Sequence, residues 1–250
     1  MREQVSPGGD LTLRAGHHWK EADRVADYVE QNDRDAQQMA EVFGIATGLL
    51  PFEASRPLRV LDVGCGHGVF AAAVLDAFPQ ATAIGLDVSR AMMDVGRERM
   101  ARYGERFAYF EGDFADGRLP IELAGPLDLV VSSRAIHHIT PDAKRLLFGE
   151  IFARLAPGGC FVDVDNMRPR DEFLRSRYAQ VDPARPRYGN RAQTPRTGGS
   201  REHPDPVAEQ LAILREVGFE HVDCFWKRLG RALIGGFKPA EGAPGPSGRL

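Results

Sequence analysis

The stretch from Arg59 to Gly68, R-V-L-D-V-G-C-G-H-G, constrains the fold of this chain more than any other. Val60, Leu61 and Val63 form a short β-rich run of the kind that lies buried in a parallel sheet, and Gly64, Gly66 and Gly68 form the turn that leaves it. Glycine admits φ > 0 and lets a ligand reach the main chain, while the first N–H groups of the following helix remain available as donors. A strand that feeds a glycine turn and then a helix is therefore a device for holding a cofactor, and the glycine spacing decides which one. A dinucleotide fingerprint, G-x-G-x-x-G, would put its third glycine at position 69, which is Val69. No G-K-[ST] ending follows, so a phosphate-cradling P-loop is excluded as well.

Downstream, strands and helices alternate. Val69–Phe78 reads as an alanine-rich helix closed by Pro79, and Ala81–Leu86 as the second strand. Asp87 ends that strand about twenty residues beyond the glycines, where a carboxylate can accept hydrogen bonds from both hydroxyls of a ribose. Ser89 suits the N-cap of a helix over Arg90–Tyr103, and Gly104 suits its stop. Phe107–Glu111 is the third strand, followed by G-D-F-A-D; Asp113 and Phe114 can hold the edge and face of a purine, or form an ordinary Asx turn. Leu127–Ser132 is the fourth strand, and Ser133–Ile139, S-R-A-I-H-H-I, runs from its end over the pocket. A helix over Asp142–Leu155, a P-G-G stop at 157–159 and a fifth strand over Cys160–Val164 complete the pattern. This order predicts a Rossmann-like, doubly wound α/β sheet with its ligand at the carboxyl ends of the strands.

The G-x-G-x-G spacing preceded by Asp62 resembles the first motif of class I S-adenosylmethionine-dependent methyltransferases. V-L-D-V-G-C-G-H-G, G-L-D-V-S, E-G-D-F-A-D, L-D-L-V-V-S and L-A-P-G-G arrive in that family's order and at its usual spacing. The resemblance spans residues 58–165, and more weakly 204–239, where a helix over Pro204–Val217 and strands over Phe219–Lys227 and Leu229–Phe237 match the reversed hairpin that ends the family's sheet. It implies a mainly parallel seven-stranded sheet and S-adenosylmethionine as cofactor. Under it, Gly64, Gly66 and Gly68 give the methionine and ribose access to the backbone, and Asp87 with Val88 borders the ribose. Asp113 takes the adenine amino group and Phe114 flanks the ring. Ser132 and Arg134 border the methionine, with Asp62 near its amino end or else fixing the turn from behind.

The remaining regions carry no motif. Residues 1–16 are expected to be a loose terminus, and 17–57 a helical cap built from His18–Gln31 and Asp33–Leu50. In the second of these, Met39, Val42, Phe43, Ala46, Leu49 and Leu50 recur at helical spacing and need something to pack on. Trp19 and Tyr28 can touch a ligand if the cap folds over the mouth; they equally suit helix packing. After the fifth strand comes an insertion over 166–203, and from 168 to 201 it carries nine arginines (168, 170, 175, 177, 185, 187, 191, 196 and 201) against three acids, Asp171, Glu172 and Asp182. It reads as a solvated linker or as a cover that offers cations to a carboxylate or phosphate on the substrate. Residues 240–250 have the composition of a flexible tail.

A net charge of −3 and a pI near 6.2 give no reason to expect nucleic acid or an anionic membrane as partner. Cys65, Cys160 and Cys224 are widely spaced and lack a C-x-x-C, so neither disulfides nor zinc are expected, and each is expected to be a buried thiol. The N-terminal stretch has no apolar signal-like run, which leaves a reduced cytoplasmic location as the expectation.

The cofactor's methyl group is already electrophilic, so the protein needs chiefly to align an acceptor and exclude water. A hydroxyl acceptor would benefit from a base of near-neutral pKa, which nominates His137 first and His138 second; either could instead be a capping or packing residue. Asp163, Asp165 and His138 are a weak metal-ligand set, and no metal is expected. The reading is methyl transfer to a small molecule at oxygen or nitrogen. The alternatives are an RNA or protein target contacted by the arginine-rich insertion, and a cofactor-binding protein without turnover.

Overall fold

The computed structural model describes residues 36–182 and 202–242. Trp19, Tyr28, the first expected cap helix, residues 183–201 and most of the tail lie outside the described residues.

Seven strands form one sheet: β1 (Arg59–Val63), β2 (Thr82–Asp87), β3 (Phe107–Glu111), β4 (Leu127–Ser133), β5 (Leu155–Asn166), β6 (Glu220–Arg228) and β7 (Arg231–Phe237). Their order across the sheet is β3-β2-β1-β4-β5-β7-β6. β1 pairs in parallel with β2 on one side and β4 on the other, and only β7 runs antiparallel to its neighbours β5 and β6. The chain therefore winds outward from β1 to β3 and then crosses back to β4. This places the topological switch point, where open α/β sheets bind ligands, between the carboxyl ends of β1 and β4.

Helices α1 (Ala36–Gly48), α2 (Val69–Ala77), α3 (Arg90–Met100), α4 (Pro141–Arg154), α5 (Glu172–Val181) and α6 (Val207–Val217) complete the described elements, with short 3₁₀ turns between them. Alternation along the strands sends Val60, Leu129, Val131, Val162 and Leu233 into a core with α1 and α2, and Leu61, Val130, Phe161 and Ile234 into a core with α4 and α6. The expected cap helix is thus a layer of the first core. Met39, Val42, Phe43 and Ala46 of α1 are buried, and Phe43 stacks on Phe70 of α2 with ring centroids 4.3 Å apart. Because that contact joins α1 to the domain, Phe43→Ala is expected to cost about 3–5 kcal/mol, read as a lower midpoint in chemical denaturation.

Boundaries moved where local signals competed with the sheet. The Pro157-Gly158-Gly159 run does not end the fourth helix; α4 stops at Arg154, and β5 begins at Leu155 and carries the run as an irregularity in its pairing with β4. The helix after Ser89 ends at Met100 and tightens into a 3₁₀ stretch, with Gly104 at φ 56° completing the turn. Cys65 and Cys160 are buried as expected, whereas Cys224 is only half-buried. Among the described residues, no helix is long and apolar enough to cross a membrane.

Candidate functional site

At the carboxyl end of β1 the chain turns sharply, with Gly64, Gly66 and Gly68 at φ 69°, 54° and 82°. The turn is tied to the next strand through N–H donation from Gly64 and Cys65 to the Leu86 carbonyl, at 2.8 and 3.0 Å. A side chain at Gly64 would place its Cβ 2.2 Å from the Cβ of Ala135 and 3.3 Å from the Phe114 ring. Glycine there keeps open the space between β1 and the segment after β4. Gly68 faces the other way; its Cβ would meet Met100 at 2.8 Å, so this glycine serves the packing of the turn on α3.

The turn borders a cleft of about 600 Å³, the open space at its mouth included. Its floor is Gly64 and Gly66. One wall is Asp87, Val88 and Met92, another is Asp113, Phe114 and Ala115, and the third comes from Ser133, Arg134, Ala135, His138 and Ile139. A smaller recess of about 270 Å³ continues beneath the turn toward the start of α2, between Asp62, Val69, Phe70, Ser133 and Arg134.

Two carboxylates hold this frame, Asp62 fully buried and Asp87 half-buried. Asp87 accepts from the Gly66 N–H at 2.7 Å through Oδ2 and from the Ser89 N–H at 2.8 Å through Oδ1. Burial raises its pKa above the ordinary carboxylate value. Asp62 accepts from the Ala71 N–H in the first turn of α2 at 3.0 Å through Oδ2, while its buried Oδ1 has no hydrogen-bond partner among the described residues. Burial pushes the Asp62 pKa up to about 7, with the Ala71 bond opposing and the charge of Asp87 adding.

Of the residues expected from sequence, Gly64, Gly66, Asp87, Val88, Asp113, Phe114, Arg134 and His138 meet around the cleft, and Asp62 and Arg134 meet in the recess. Asp113 also closes an Asx turn, accepting from the Ala115 N–H at 2.8 Å. Three residues lie elsewhere, the first being Gly68, which packs toward Met100 and lines neither the cleft nor the recess. Ser132 is buried and donates to the Val63 carbonyl at 2.8 Å; its neighbour Ser133 lines the cleft instead. His137 is buried behind the wall, its Nδ1 2.5 Å from Asp165 Oδ1 and its backbone N–H donating to Asp165 Oδ2 at 2.7 Å. His138 is therefore the histidine that faces the cleft. Met92 carried no signal in the sequence beyond that of a core residue, whereas Ala115 lies within G-D-F-A-D and Ala135 and Ile139 lie within the stretch expected to run over the pocket, none of them singled out individually.

Fold and site together define a doubly wound α/β protein with a ligand cleft at its topological switch point, floored by a glycine turn and adjoined by a small recess. The family described as "Methyltransferase domain" matches residues 60–159. A demethylmenaquinone methyltransferase of Symbiobacterium thermophilum is 30% identical over 201 residues, 74% of this chain and 77% of that protein. A trans-aconitate 2-methyltransferase of Deinococcus radiodurans is 36% identical over 102 residues, 40% of this chain, and the match spans only 35% of that protein. An O-methyltransferase family protein of Burkholderia thailandensis superposes with a TM-score of 0.68 at 18% identity, covering 92% of this chain and 64% of that one. The chain belongs to the S-adenosylmethionine-dependent methyltransferases of class I.

Proposed function

We propose that the chain transfers the methyl group of S-adenosylmethionine to oxygen or nitrogen of a small-molecule acceptor. The observation that carries this reading is the buried, unpartnered Asp62 Oδ1 in a recess that also holds Arg134 and the start of α2. A carboxylate and a guanidinium facing one small space suit the ammonium and carboxylate of an amino acid, and a helix start favours the carboxylate end. Asp87 then borders the ribose, while Asp113 and Phe114 border the purine. The bound cofactor supplies an electrophilic methyl group. Ala135, His138 and Ile139 form the side of the cleft at which an acceptor would approach in line with water excluded.

His138 is the proposed general base. Replacing it with alanine is expected to lower kcat by about 10²–10⁴ while leaving the affinity for S-adenosylhomocysteine within a few-fold of wild type. Steady-state kinetics beside calorimetry checks this, and unaltered turnover removes the base assignment. Acceptors are best sought with labelled cofactor, starting from carboxylates and hydroxy-aromatics. The relative named for trans-aconitate supports ranking carboxylates first. Heat of binding from NADH with none from S-adenosylhomocysteine would overturn the cofactor assignment.

A further inference from the structure

Lys144 lies where its helix wants an apolar residue. α4 turns Ala143, Lys144, Leu147, Phe148 and Ile151 inward, and Lys144 is fully buried. An ammonium in that stripe requires fixed partners, and both come from the segment just before α6. Its Nζ donates to Asp205 Oδ2 at 2.6 Å and to the His203 carbonyl. Asp163, close by on β5, is also fully buried, and neither of its carboxyl oxygens has a hydrogen-bond partner among the described residues. Burial, and then the charge of Asp165, push its pKa well above the ordinary carboxylate value with Lys144 opposing, while Asp205 is the carboxylate that the lysine contacts.

The same segment is attached at two more points. The His203 N–H donates to the His137 carbonyl at 2.6 Å, and the Arg168 N–H donates to the Asp205 carbonyl at 3.0 Å. The second bond joins the chain leaving β5 to the chain entering α6, so the excursion between 168 and 205 departs and returns at one place, beside the His137–His138 turn. From the opposite side, Asp165 grips that turn through the His137 ring and main chain. None of Lys144, Asp165, His203 and Asp205 lines the described cleft, yet the turn they enclose contributes Ala135, His138 and Ile139 to its wall.

We propose that residues 203–205 form a positioning strap, locked by the Lys144–Asp205 ion pair, which with Asp165 sets the His137–His138 turn and thereby the wall of the cofactor cleft. Lys144, Asp165 and Asp205 are positioning residues; they act through the turn and touch no ligand. The strap's effect on ligand affinity rests on the reading of the cleft as an S-adenosylmethionine site, whereas its effect on the turn does not.

The test is Asp205→Asn in the full chain, which keeps the side chain's size and removes its charge. Hydrogen exchange at the His203 amide, ring resonances of ¹⁵N-labelled histidines and calorimetry with S-adenosylhomocysteine are read together. The expected result is lost protection at His203, shifted His138 ring resonances and an affinity lower by about threefold to thirtyfold, with Asp205→Glu restoring part of each. Leu58→Ala, a cavity at the far end of β1, controls for general destabilisation and is expected to leave the His138 resonances and the affinity as they are. If Asp205→Asn does not fold, Lys144→Met combined with Asp205→Leu removes both charges without leaving a lone buried ion and is expected to show the same loss at His203. A folded variant with wild-type protection at His203 and unshifted His138 resonances overturns the strap. A wild-type chain that fails to bind S-adenosylhomocysteine instead overturns the reading of the cleft, and the strap is then judged by exchange and resonances alone.

Discussion

Gly64→Val is expected to abolish measurable binding of S-adenosylhomocysteine, with a loss of at least about a hundredfold. Two separate costs act together. A β-branched residue at φ 69° stores backbone strain of about 1–3 kcal/mol, and its Cβ lands 2.2 Å from that of Ala135, where overpacking adds a similar amount. Each 1.4 kcal/mol that falls on the bound geometry is about a tenfold loss. Ala135 can relieve the clash only by moving the wall that carries His138, so the damage falls on the cleft before it falls on the core. Gly104→Val is the comparison. That glycine also has positive φ, at 56°, but a Cβ there meets nothing within 4 Å. It is expected to lower the thermal midpoint and leave affinity intact. Calorimetry and thermal melts on both variants separate the close approach from the strain.

The second large effect is a dependence of cofactor affinity on pH that originates at Asp62. Its pKa of about 7 in the unliganded fold means that near neutrality the carboxyl is partly protonated, because burial penalises the charge. An ammonium beside Oδ1 favours the carboxylate, so binding expels a proton wherever Asp62 was protonated. Affinity for S-adenosylhomocysteine is therefore expected to rise with pH, to be about tenfold weaker at pH 6 than at pH 8, and to level off above the unliganded pKa. Asp62→Asn is expected to bind more weakly and to lose this slope. An unchanged slope in that variant assigns the proton to another group. Stability responds in the opposite sense. A folded pKa raised from 3.8 to about 7 gives a contribution fully present below pH 3.8 that declines as pH rises through 7. The unliganded protein is expected to lose stability over that window and the saturated protein to lose less of it, which thermal melts at several pH values would show.

The limits of reading such a chain are visible in the pair His137 and His138. Adjacent in sequence and alike in chemistry, they share one tight 3₁₀ turn, Ile136–His138, in which one ring pairs with Asp165 and the other lines the cleft. Sequence ranked His137 ahead of His138, yet which ring faces the cleft depends on a carboxylate on β5, 28 positions away from His137. Ser132 and Ser133 present the same case. Strand alternation makes one of them face inward, and the register of β4 against β1 decides which. Lys144 is a harder case still. Its spacing marks the buried stripe of a helix and its chemistry marks the surface, and only the arrival of Asp205 resolves the conflict.

What the chain determines by itself is local: a glycine turn after a buried strand, acidic residues ending the next two strands, and an alternation of elements that admits few topologies. Those features arise from backbone freedom, period and turn chemistry within a dozen residues, so they are legible in order along the chain, and most of the residues they single out line one cleft. Tertiary structure alone decided which of two neighbouring side chains faces the cleft, which carboxyl oxygen is left without a partner, and which ammonium is buried. Those outcomes depend on groups brought together from distant parts of the chain, where desolvation and pairing energies are set by packing that no short window contains.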